Sequence, residues 1–292
     1  MSKPKKRRFG DRKDGRRLRT LPPMAVVEPY IMKHRNDACN QIADTIDVTA
    51  ASKYVNEKKH EGLTGFSMMY VLVAAYVRCI SQRPAINRFI SGQRVFHRNK
   101  IVIALCIKKE MTLESPDTVI KVELEPDATA EDVYYAFEKA ISDYRNEPGG
   151  GFDNAARFIS KMPSGLMRIA IGFCRLLDYY GLLPESWTNI SPFHASMFIT
   201  SMGSLGIPSI FHHLYNFGNV PLFISFGKKR FTDKILDDGT VERAPRLDVN
   251  VVMDERICDG YYFASAWKYM KSIFKDPHQL DKKPETVVED ID

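Results

Sequence analysis

Charged side chains that could take part in acid–base chemistry gather late in the chain, in the segment 254–260, which we call the elbow. The segment before it, 247–253, is mostly apolar at both alternating sets of positions, which predicts a strand covered on both faces of its sheet. From Tyr261 to Phe274 the apolar residues recur at helical spacing. A strand, a charged elbow and a helix therefore fix a few carboxylate and guanidinium groups beside a sheet.

The elements around the elbow follow from hydrophobic periodicity. The predicted strands are 41–49, 101–107, 118–124, 195–201, 222–227 and 246–253, with a hairpin over 88–96. The predicted helices are 50–59, 66–81, 127–144 and 261–274. We expect Thr129 to cap the third helix, and the turn Asp237–Thr240 to join the last two strands as an antiparallel pair.

The two flanks of the chain differ from its body in composition. Residues 1–20 hold ten Lys or Arg and two Asp, so the net charge of +6 comes from this segment and the rest is nearly neutral. We predict a flexible basic arm over 1–20, a domain over 21–275 and a disordered polar tail over 276–292. Contact of residues 3–19 with nucleic acid or a membrane rests on charge alone, and we favour a solvated arm.

Several classes of protein are excluded by what the sequence lacks. No apolar run is long enough to span a membrane and the basic start carries no apolar signal region, which favours a cytoplasmic protein. Five scattered cysteines without ligand spacing favour reduced thiols and predict no metal site. There is no glycine-rich phosphate loop before a helix and no Gly-x-Ser-x-Gly motif.

The apolar stretch 155–183 has two interpretations. It fits a helix lying in a membrane interface, or a helical hairpin packed on its own domain or on a neighbouring subunit. The interruptions at Pro163, Gly165, Gly172 and Gly181 favour the packed hairpin. The run Pro148–Gly151 before it is the strongest linker signal in the chain.

The elbow resembles the signature of the chloramphenicol acetyltransferase-like superfamily, which includes the catalytic domains of dihydrolipoyl acyltransferases of 2-oxoacid dehydrogenase complexes. That signature is His, three residues, Asp and Gly, often with a preceding Asp and a following Arg. Asp254, Arg256, Asp259 and Gly260 fit it, whereas Glu255 occupies the histidine position. Further matches, in the same order along the chain, are residues 46–49, 84–87, 199–203 and 221–227.

This resemblance implies an α/β (α+β) two-layer sandwich, a mixed sheet with helices on one side. Residues 152–187 are then a helical insertion in the domain. It also implies a homotrimer or larger homo-oligomer with each active site between two subunits. There coenzyme A enters as acyl-CoA and a small thiol or alcohol acceptor takes the acyl group. No metal is implied, and we expect no lipoyl attachment site in this chain.

The resemblance also assigns roles to residues. Glu255 stands at the position of the general base, Thr200 at that of the hydroxyl that stabilises the oxyanion, and Asp259 at that of the aspartate that holds the elbow through an arginine. Asp254, Arg256 and Gly260 are structural at the elbow. A glutamate with an ordinary pKa is a weak base for a thiol or alcohol, so Glu255 needs burial to raise its pKa. The competing interpretation pairs Glu255 with an arginine, Arg256 or Arg35.

Three histidines are alternative bases because imidazole titrates near neutrality. His194 precedes Thr200 by six residues on the predicted strand, hence on its face, and His212 and His213 follow in the next loop. Two functions remain open. The first is acyl transfer between coenzyme A, or another thioester, and a thiol or alcohol. The second is a weak or inactive homologue that serves as a trimeric scaffold or as an acyl- or CoA-binding module.

Overall fold

A computed structural model describes residues 7–108, 112, 117–146 and 151–292. The strands are β1 (Gly15–Arg17), β2 (Cys39–Asp47), β3 (Arg88–Ser91), β4 (Arg94–Arg98), β5 (Ile101–Lys108), β6 (Asp117–Leu124), β7 (Met197–Ser201), β8 (Leu222–Phe226), β9 (Arg230–Ile235) and β10 (Val241–Asp254). The helices are α1 (Pro23–Ile31), α2 (Thr49–His60), α3 (Met68–Gln82), α4 (Ala130–Asn146), α5 (Gly151–Ser160), α6 (Ser164–Tyr179), α7 (Glu185–Ile190) and α8 (Gly260–Lys275).

The main sheet is mixed and has the strand order β2-β10-β8-β7-β5-β6, with β9 paired to the first part of β10. The β5–β7 and β7–β8 pairs are parallel, and the other pairs are antiparallel. A smaller sheet has the order β1-β4-β3. The mixed sheet with a helical layer confirms the predicted fold class.

The strand that leads into the elbow is covered on both faces, as its sequence predicts. Val249, Val251 and Met253 belong to the large core, which also contains the buried sides of α2, α3, α4 and α8. Val252, on the opposite face of β10, packs in a smaller cluster with Phe198 and Phe223. Helices therefore cover one face, and the other face is left for loops and polar groups.

The predicted cap of α4 is confirmed. The Thr129 hydroxyl accepts from the Asp132 backbone N–H at 3.2 Å, and the Asp132 carboxylate accepts from the Thr129 backbone N–H at 2.9 Å. The predicted hairpin over 88–96 is also confirmed as β3 and β4, which pair in antiparallel register. Gly92 and Gln93 form its turn, both with positive φ angles.

The end of the sheet differs from the prediction in one element. β8 and β10 are antiparallel neighbours as expected, but the turn at 237–240 joins β10 to an additional strand, β9. β9 was missed because it lies at the edge of the sheet beside β10, where its apolar residues Phe231 and Ile235 are exposed and belong to no core. Most of the predicted linker, residues 148–150, lies outside the described residues, and Gly151 begins α5.

The prediction of a free arm over 1–20 is wrong for residues 7–20. β1 pairs with β4, and Leu18 is buried in the large core. Most arginines of this segment bind carboxylates of the same chain: Arg8 and Arg16 contact Asp292, Arg12 contacts Asp14 and Asp178, and Arg19 contacts Asp11. Four of the seven basic side chains at 7–20 are thus paired with carboxylates of the same chain.

The prediction of a disordered tail over 276–292 is also wrong. Leu280 is buried in the large core, and Asp290 forms two hydrogen bonds with Arg88, at 2.5 and 2.8 Å. Burial alone would raise the pKa of Asp290, but Arg88 and His97 hold this pKa well below its usual range. Both predictions were wrong because each flank was considered separately. In the structure, arginines of residues 7–20 form ion pairs with aspartates of both flanks.

Within the described ranges, no helix is long and apolar enough to cross a membrane. Across the same ranges, no group of three or more His, Cys, Asp or Glu side chains is arranged to hold a metal ion.

The buried pair of Asp290 and Arg88 predicts a measurable loss of stability. We expect Asp290→Asn to lower the free energy of unfolding by about 3 kcal/mol, because it leaves the half-buried Arg88 guanidinium without its counter-charge. Urea denaturation would measure the change. The matched control is Glu123→Gln, which breaks an exposed pair with Lys100 and is expected to cost less than about 1 kcal/mol.

The same pair gives a pH dependence. Because the pKa of Asp290 is lower in the folded protein than in the unfolded chain, its contribution is complete above the ordinary carboxyl pKa near 4 and is lost as the pH falls further. The stability difference between wild type and Asp290→Asn should therefore shrink below about pH 4. A difference that stays constant to lower pH contradicts this account.

Candidate functional site

A buried ion cluster holds the elbow in place. β10 ends at Asp254, which is fully buried, and a 3₁₀ turn over Glu255–Ile257 leads to α8. The Arg256 side chain donates two hydrogen bonds to the Asp254 carboxylate, each 2.7 Å long, and Arg35 Nε lies 3.4 Å from the same carboxylate. We call Asp254, Arg256 and Arg35 the elbow ion cluster.

The two guanidinium groups of this cluster also bind backbone carbonyls of distant segments. Arg256 donates to Met32 O at 2.6 Å, and Arg35 donates to Tyr215 O at 2.5 Å and to Gly218 O at 3.0 Å. Burial lowers the pKa of Arg35, and the Asp254 carboxylate opposes that shift. The cluster thus joins the elbow to the end of α1 and to the loop 202–221.

Asp259 has a different role from the one implied by the resemblance. Its carboxylate accepts a hydrogen bond from the Tyr262 backbone N–H at 2.8 Å, which makes it the N-cap of α8, and Gly260 is the first residue of that helix. Asp259 is exposed. The arginine contact expected of Asp259 is made instead by Asp254.

Glu255 lies at the surface side of the elbow and is partly exposed. Partial burial raises the pKa of Glu28, and the negative charges of Glu255 and Asp259 raise it further, so the three carboxylates lie near one another. Among the described residues, the Glu255 carboxylate forms no ion pair or hydrogen bond. The interpretation that pairs Glu255 with an arginine is therefore wrong. Both candidate arginines, Arg256 and Arg35, contact Asp254 instead.

A row of polar side chains crosses the middle of the sheet on the face that lacks the main helical layer. Thr200 pairs with Ser225 across β7 and β8, and Ser225 pairs with Asn250 across β8 and β10. Paired residues of neighbouring strands project to the same face, so the three side chains line up. Thr200 and Asn250 are each 9% exposed and Ser225 is 1% exposed, so this row is nearly dry.

His212 lies over the sheet face that carries Thr200. Its ring stacks on Phe223 with ring centroids 4.0 Å apart, and Phe223 precedes Ser225 by two residues on the same face of β8. The Ile210 backbone N–H donates to the Ser225 hydroxyl at 3.2 Å, which fixes the loop over the sheet. On this face the row of Phe223 is the neighbour of the row of Thr200, so His212 is displaced from Thr200 by about 7 Å along the strands.

The environment of His212 favours a neutral ring. Its Nε2 atom is buried and has no hydrogen-bond partner among the residues described. Burial lowers the pKa of His212, and the neighbouring His213 lowers it further. A neutral imidazole with an unpartnered nitrogen can accept a proton from a group placed against it.

The other two candidate histidines are placed differently. His213 is exposed and meets Tyr215 edge to face. His194 is buried before β7 begins, with Nδ1 2.9 Å from the Ser191 hydroxyl and Nε2 3.3 Å from Asp178. The prediction that His194 shares a strand face with Thr200 is wrong, because β7 starts at Met197 and His194 belongs to a buried polar cluster.

Thr200 and Glu255 do not meet within one chain. Asn250 lies in the same row as Thr200, and Asp254 follows four residues later on β10, about 13 Å along the strand. Glu255 lies beyond it. The elbow carboxylate and the Thr200 hydroxyl of a single copy are therefore too far apart to act on one small reacting group.

A basic cavity lies elsewhere in the molecule. It has a volume of about 500 Å³ and opens between β1, β4 and residues 287–290. Lys13, Arg16 and Arg98 line it, together with the acidic Asp11, Glu289 and Asp290. Neither Thr200 nor Glu255 is part of its lining.

Sequence reasoning missed Ser225 and Asn250 of the polar row and the contacts of Arg35 with the backbone of Tyr215 and Gly218. The first two had a readable signal, because each is a polar residue with apolar neighbours in a predicted central strand. The Arg35 contacts had none, since they join residues about 180 positions apart.

Comparison with solved structures agrees with this fold. The chain matches a probable dihydrolipoamide acetyltransferase from Listeria monocytogenes with a TM-score of 0.57 and 14% identity, covering 93% of this chain and 99% of the other. It matches the Azotobacter vinelandii dihydrolipoamide acetyltransferase with a TM-score of 0.57 and 12% identity, covering 90% and 93%. It matches a chloramphenicol acetyltransferase with a TM-score of 0.52 and 13% identity, covering 89% of this chain and 99% of the other.

The protein thus has the chloramphenicol acetyltransferase-like fold, which it shares with acyltransferase catalytic cores at low sequence identity. No family model matches the sequence. No curated protein matches it either.

Two substitutions distinguish the roles of the elbow aspartates. We expect Asp254→Asn to lower the free energy of unfolding by about 3–5 kcal/mol, because two buried guanidinium groups lose their counter-charge. Asp259→Ala should cost about 1 kcal/mol through loss of the helix cap. Chemical denaturation measures both.

Asp259→Asn is the control, since asparagine caps a helix as well as aspartate does. It should leave stability within a few tenths of a kcal/mol of wild type. A large loss on Asp259→Asn would instead indicate that its charge, and not its cap, holds the elbow.

Proposed function

We propose that the protein transfers an acyl group from coenzyme A, or another thioester, to a thiol or alcohol acceptor. The observation that supports this most directly is the placement, over one face of the sheet, of the buried Thr200 hydroxyl and of a histidine, His212, that stacks on Phe223 and whose Nε2 is buried and unpartnered in the described structure. A hydroxyl donor and a neutral imidazole are the two groups that acyl transfer between thioesters and thiols or alcohols requires.

In the proposed reaction His212 takes the proton from the acceptor thiol or alcohol as that group attacks the thioester carbonyl. The negative charge that develops on the carbonyl oxygen is stabilised by a hydrogen bond from the Thr200 hydroxyl. Collapse of the tetrahedral intermediate breaks the carbon–sulfur bond and releases coenzyme A as a thiolate. The protonated imidazole returns its proton to that thiolate, which restores the starting state.

His212 suits the role of base better than Glu255. Its ring lies one row from Thr200, whereas the Glu255 carboxylate of the same chain lies beyond the far end of β10. Glu255 also lies near two further carboxylates, Glu28 and Asp259, and no arginine or lysine is paired with it among the described residues. His213 is exposed, and His194 is held by Ser191 and Asp178, which makes both weaker candidates.

Assembly into a homotrimer or larger homo-oligomer belongs to the same proposal. Two of the similar structures are a cubic core of a pyruvate dehydrogenase multienzyme complex and a truncated core of a 2-oxoacid dehydrogenase complex from Thermoplasma acidophilum. The distance between Thr200 and Glu255 in one chain supports an arrangement in which these residues face each other only across a contact between copies. Glu255 of one copy would then lie near the substrate held by another.

A second candidate function is a weak or inactive homologue that binds acyl-CoA or serves as a scaffold. It is favoured by the acidic surroundings of Glu255 at the position where the resemblance implies a histidine base. Binding of coenzyme A without turnover, measured by calorimetry beside the rate assay, would support this alternative.

The mechanism predicts a specific pattern of activity loss. Release of thiol from acetyl-CoA, followed with a panel of thiol and alcohol acceptors, should fall about 10²–10⁴-fold in His212→Gln. His213→Ala removes the adjacent, exposed imidazole and should stay near the wild-type rate. If His213→Ala loses activity and His212→Gln does not, the base is assigned wrongly.

The oxyanion role has its own matched pair of variants. Thr200→Val removes the hydroxyl at nearly constant shape and should lower kcat about 10²–10³-fold, whereas Thr200→Ser keeps the hydroxyl and should retain most of the rate. Glu255→Gln tests the remaining candidate. A loss on Glu255→Gln as large as that of His212→Gln would restore the carboxylate as base.

The pKa of His212 sets the pH profile. Since this pKa is lowered from its ordinary value of 6.5, the ring is neutral and competent as a base at and above that pH. With an alcohol acceptor, whose own ionisation lies far higher, kcat/KM should be level above about pH 6.5 and fall at lower pH. An inflection above pH 6.5 that disappears in His213→Ala but not in His212→Gln contradicts the assignment.

A further inference from the structure

The helices α5 to α7 present a large apolar surface to solvent. Eight apolar side chains in this part of the chain are each more than half exposed: Phe158, Leu166, Ile169, Phe173, Leu176, Tyr180, Leu182 and Trp187. We call residues 154–190, with these side chains, the hairpin surface. A patch of this extent is unusual on a protein with no partner and indicates a binding surface.

On α6 the exposed apolar residues form one continuous stripe. Leu166, Ile169, Phe173, Leu176 and Tyr180 follow one another at intervals of three and four residues, so they lie on one side of the helix. Asp178 lies on the opposite side, buried, and binds Arg12 at 2.8 Å. The stripe therefore points away from the body of the protein.

The hairpin surface is held firmly to the rest of the molecule at one end. Arg12 donates to both the backbone carbonyl and the carboxylate of Asp178, and the Tyr179 hydroxyl donates to Gln93 at 2.8 Å. The peptide carbonyl of Tyr179 approaches Gly92 so closely that a side chain there would overlap it. The hairpin surface is thus a fixed part of the fold, and its apolar side chains do not pack onto the core.

Basic side chains border the apolar stripe. Arg157, Lys161, Arg168 and Arg175 are exposed, and the last two lie seven residues apart on the same side of α6. In the described part of this segment the acidic residues are Asp178, which is buried in its ion pair, and Glu185, which is exposed. The surface is therefore apolar at its centre and positively charged at its edge.

This combination identifies the occupant by its chemistry. Two copies meeting through this surface would bring their basic side chains together, which disfavours self-association. A bilayer with anionic headgroups offers both an apolar interior and negative charge, and exposed Trp187 and Tyr180 have the amphipathic rings that lie at headgroup level.

We propose that the hairpin surface binds membranes that contain anionic phospholipids. α6 lies parallel to the bilayer plane, its apolar stripe enters the boundary between headgroups and acyl chains, and Arg168 and Arg175 contact lipid phosphates. The interaction is independent of the proposed acyl transfer and needs no residue of the Thr200 face.

The test is co-sedimentation of the full chain with vesicles of phosphatidylcholine alone and of equal parts phosphatidylcholine and phosphatidylglycerol. Wild type should bind the mixed vesicles, bind phosphatidylcholine alone at least about tenfold more weakly, and lose binding as salt rises. Ile169→Asp with Phe173→Asp should lower binding at least about tenfold. Arg168→Glu with Arg175→Glu should remove the preference for phosphatidylglycerol.

Matched controls carry the same chemical changes elsewhere. Ile235→Asp replaces an equally exposed apolar residue of β9, and Lys53→Glu with Lys59→Glu reverses two exposed charges of α2. Both should bind vesicles as wild type does. An unchanged melting temperature shows that each variant is folded.

Tryptophan fluorescence provides a second test of the same proposal. The chain has two tryptophans, of which Trp187 is 51% exposed and Trp267 is 8% exposed. Mixed vesicles should shift the emission of wild type to shorter wavelength, and Trp187→Phe should abolish the shift. The proposal is overturned if wild type ignores both vesicles, or if Ile169→Asp with Phe173→Asp reduces the size of an oligomer in light scattering while vesicle binding is absent.

Discussion

The architecture of the candidate site depends on a buried carboxylate, Asp254, that is shared by two guanidinium groups. Removing these charges from water is costly, and the arrangement is stable only because each group is satisfied by several partners. Arg256 and Arg35 meet that condition through backbone carbonyls of the α1 end and of the loop 202–221. The same ion cluster therefore fixes the elbow and the loop that carries His212.

The two faces of the main sheet carry different kinds of residue. The helical face carries the large core, with side chains such as Ile199, Ile224 and Val251 from the central strands. The opposite face has a small apolar cluster and, beside it, the row of Thr200, Ser225 and Asn250. A hydroxyl on a rigid central strand is held more accurately than one on a loop, which suits a group that stabilises a developing charge.

Local patterns in the sequence predicted much of the fold. The mostly apolar run 247–253, the helical spacing after Tyr261 and the Thr129 cap are signals within one element, and the structure confirms each of them. The two flanks were misjudged because their interaction joins distant residues: they fold onto each other through opposite charges, which no short window of sequence shows. The error at β9 is local, because its partner residues on β10 follow directly after the turn, but its apolar side chains are exposed and give no core pattern.

The site was predictable to a smaller extent. The resemblance located Thr200 and the elbow, but the exchange of roles between Asp254 and Asp259 depends on which carboxylate the arginines reach in three dimensions. His194 was misplaced because the strand alternation was extended back to it, whereas β7 starts only at Met197. His212 could be ranked above its neighbours only when its ring was seen on Phe223.

The contact between the two flanks has a consequence for how the molecule opens. Arg16 binds Asp292, and the backbone N–H groups of Arg19 and Thr20 both donate to the Asp292 carbonyl, so the two segments share hydrogen bonds although they lie more than 270 residues apart. Neither segment can detach without exposing the other. They should exchange their amide hydrogens together, as one cooperative subglobal unit whose opening leaves the central sheet intact.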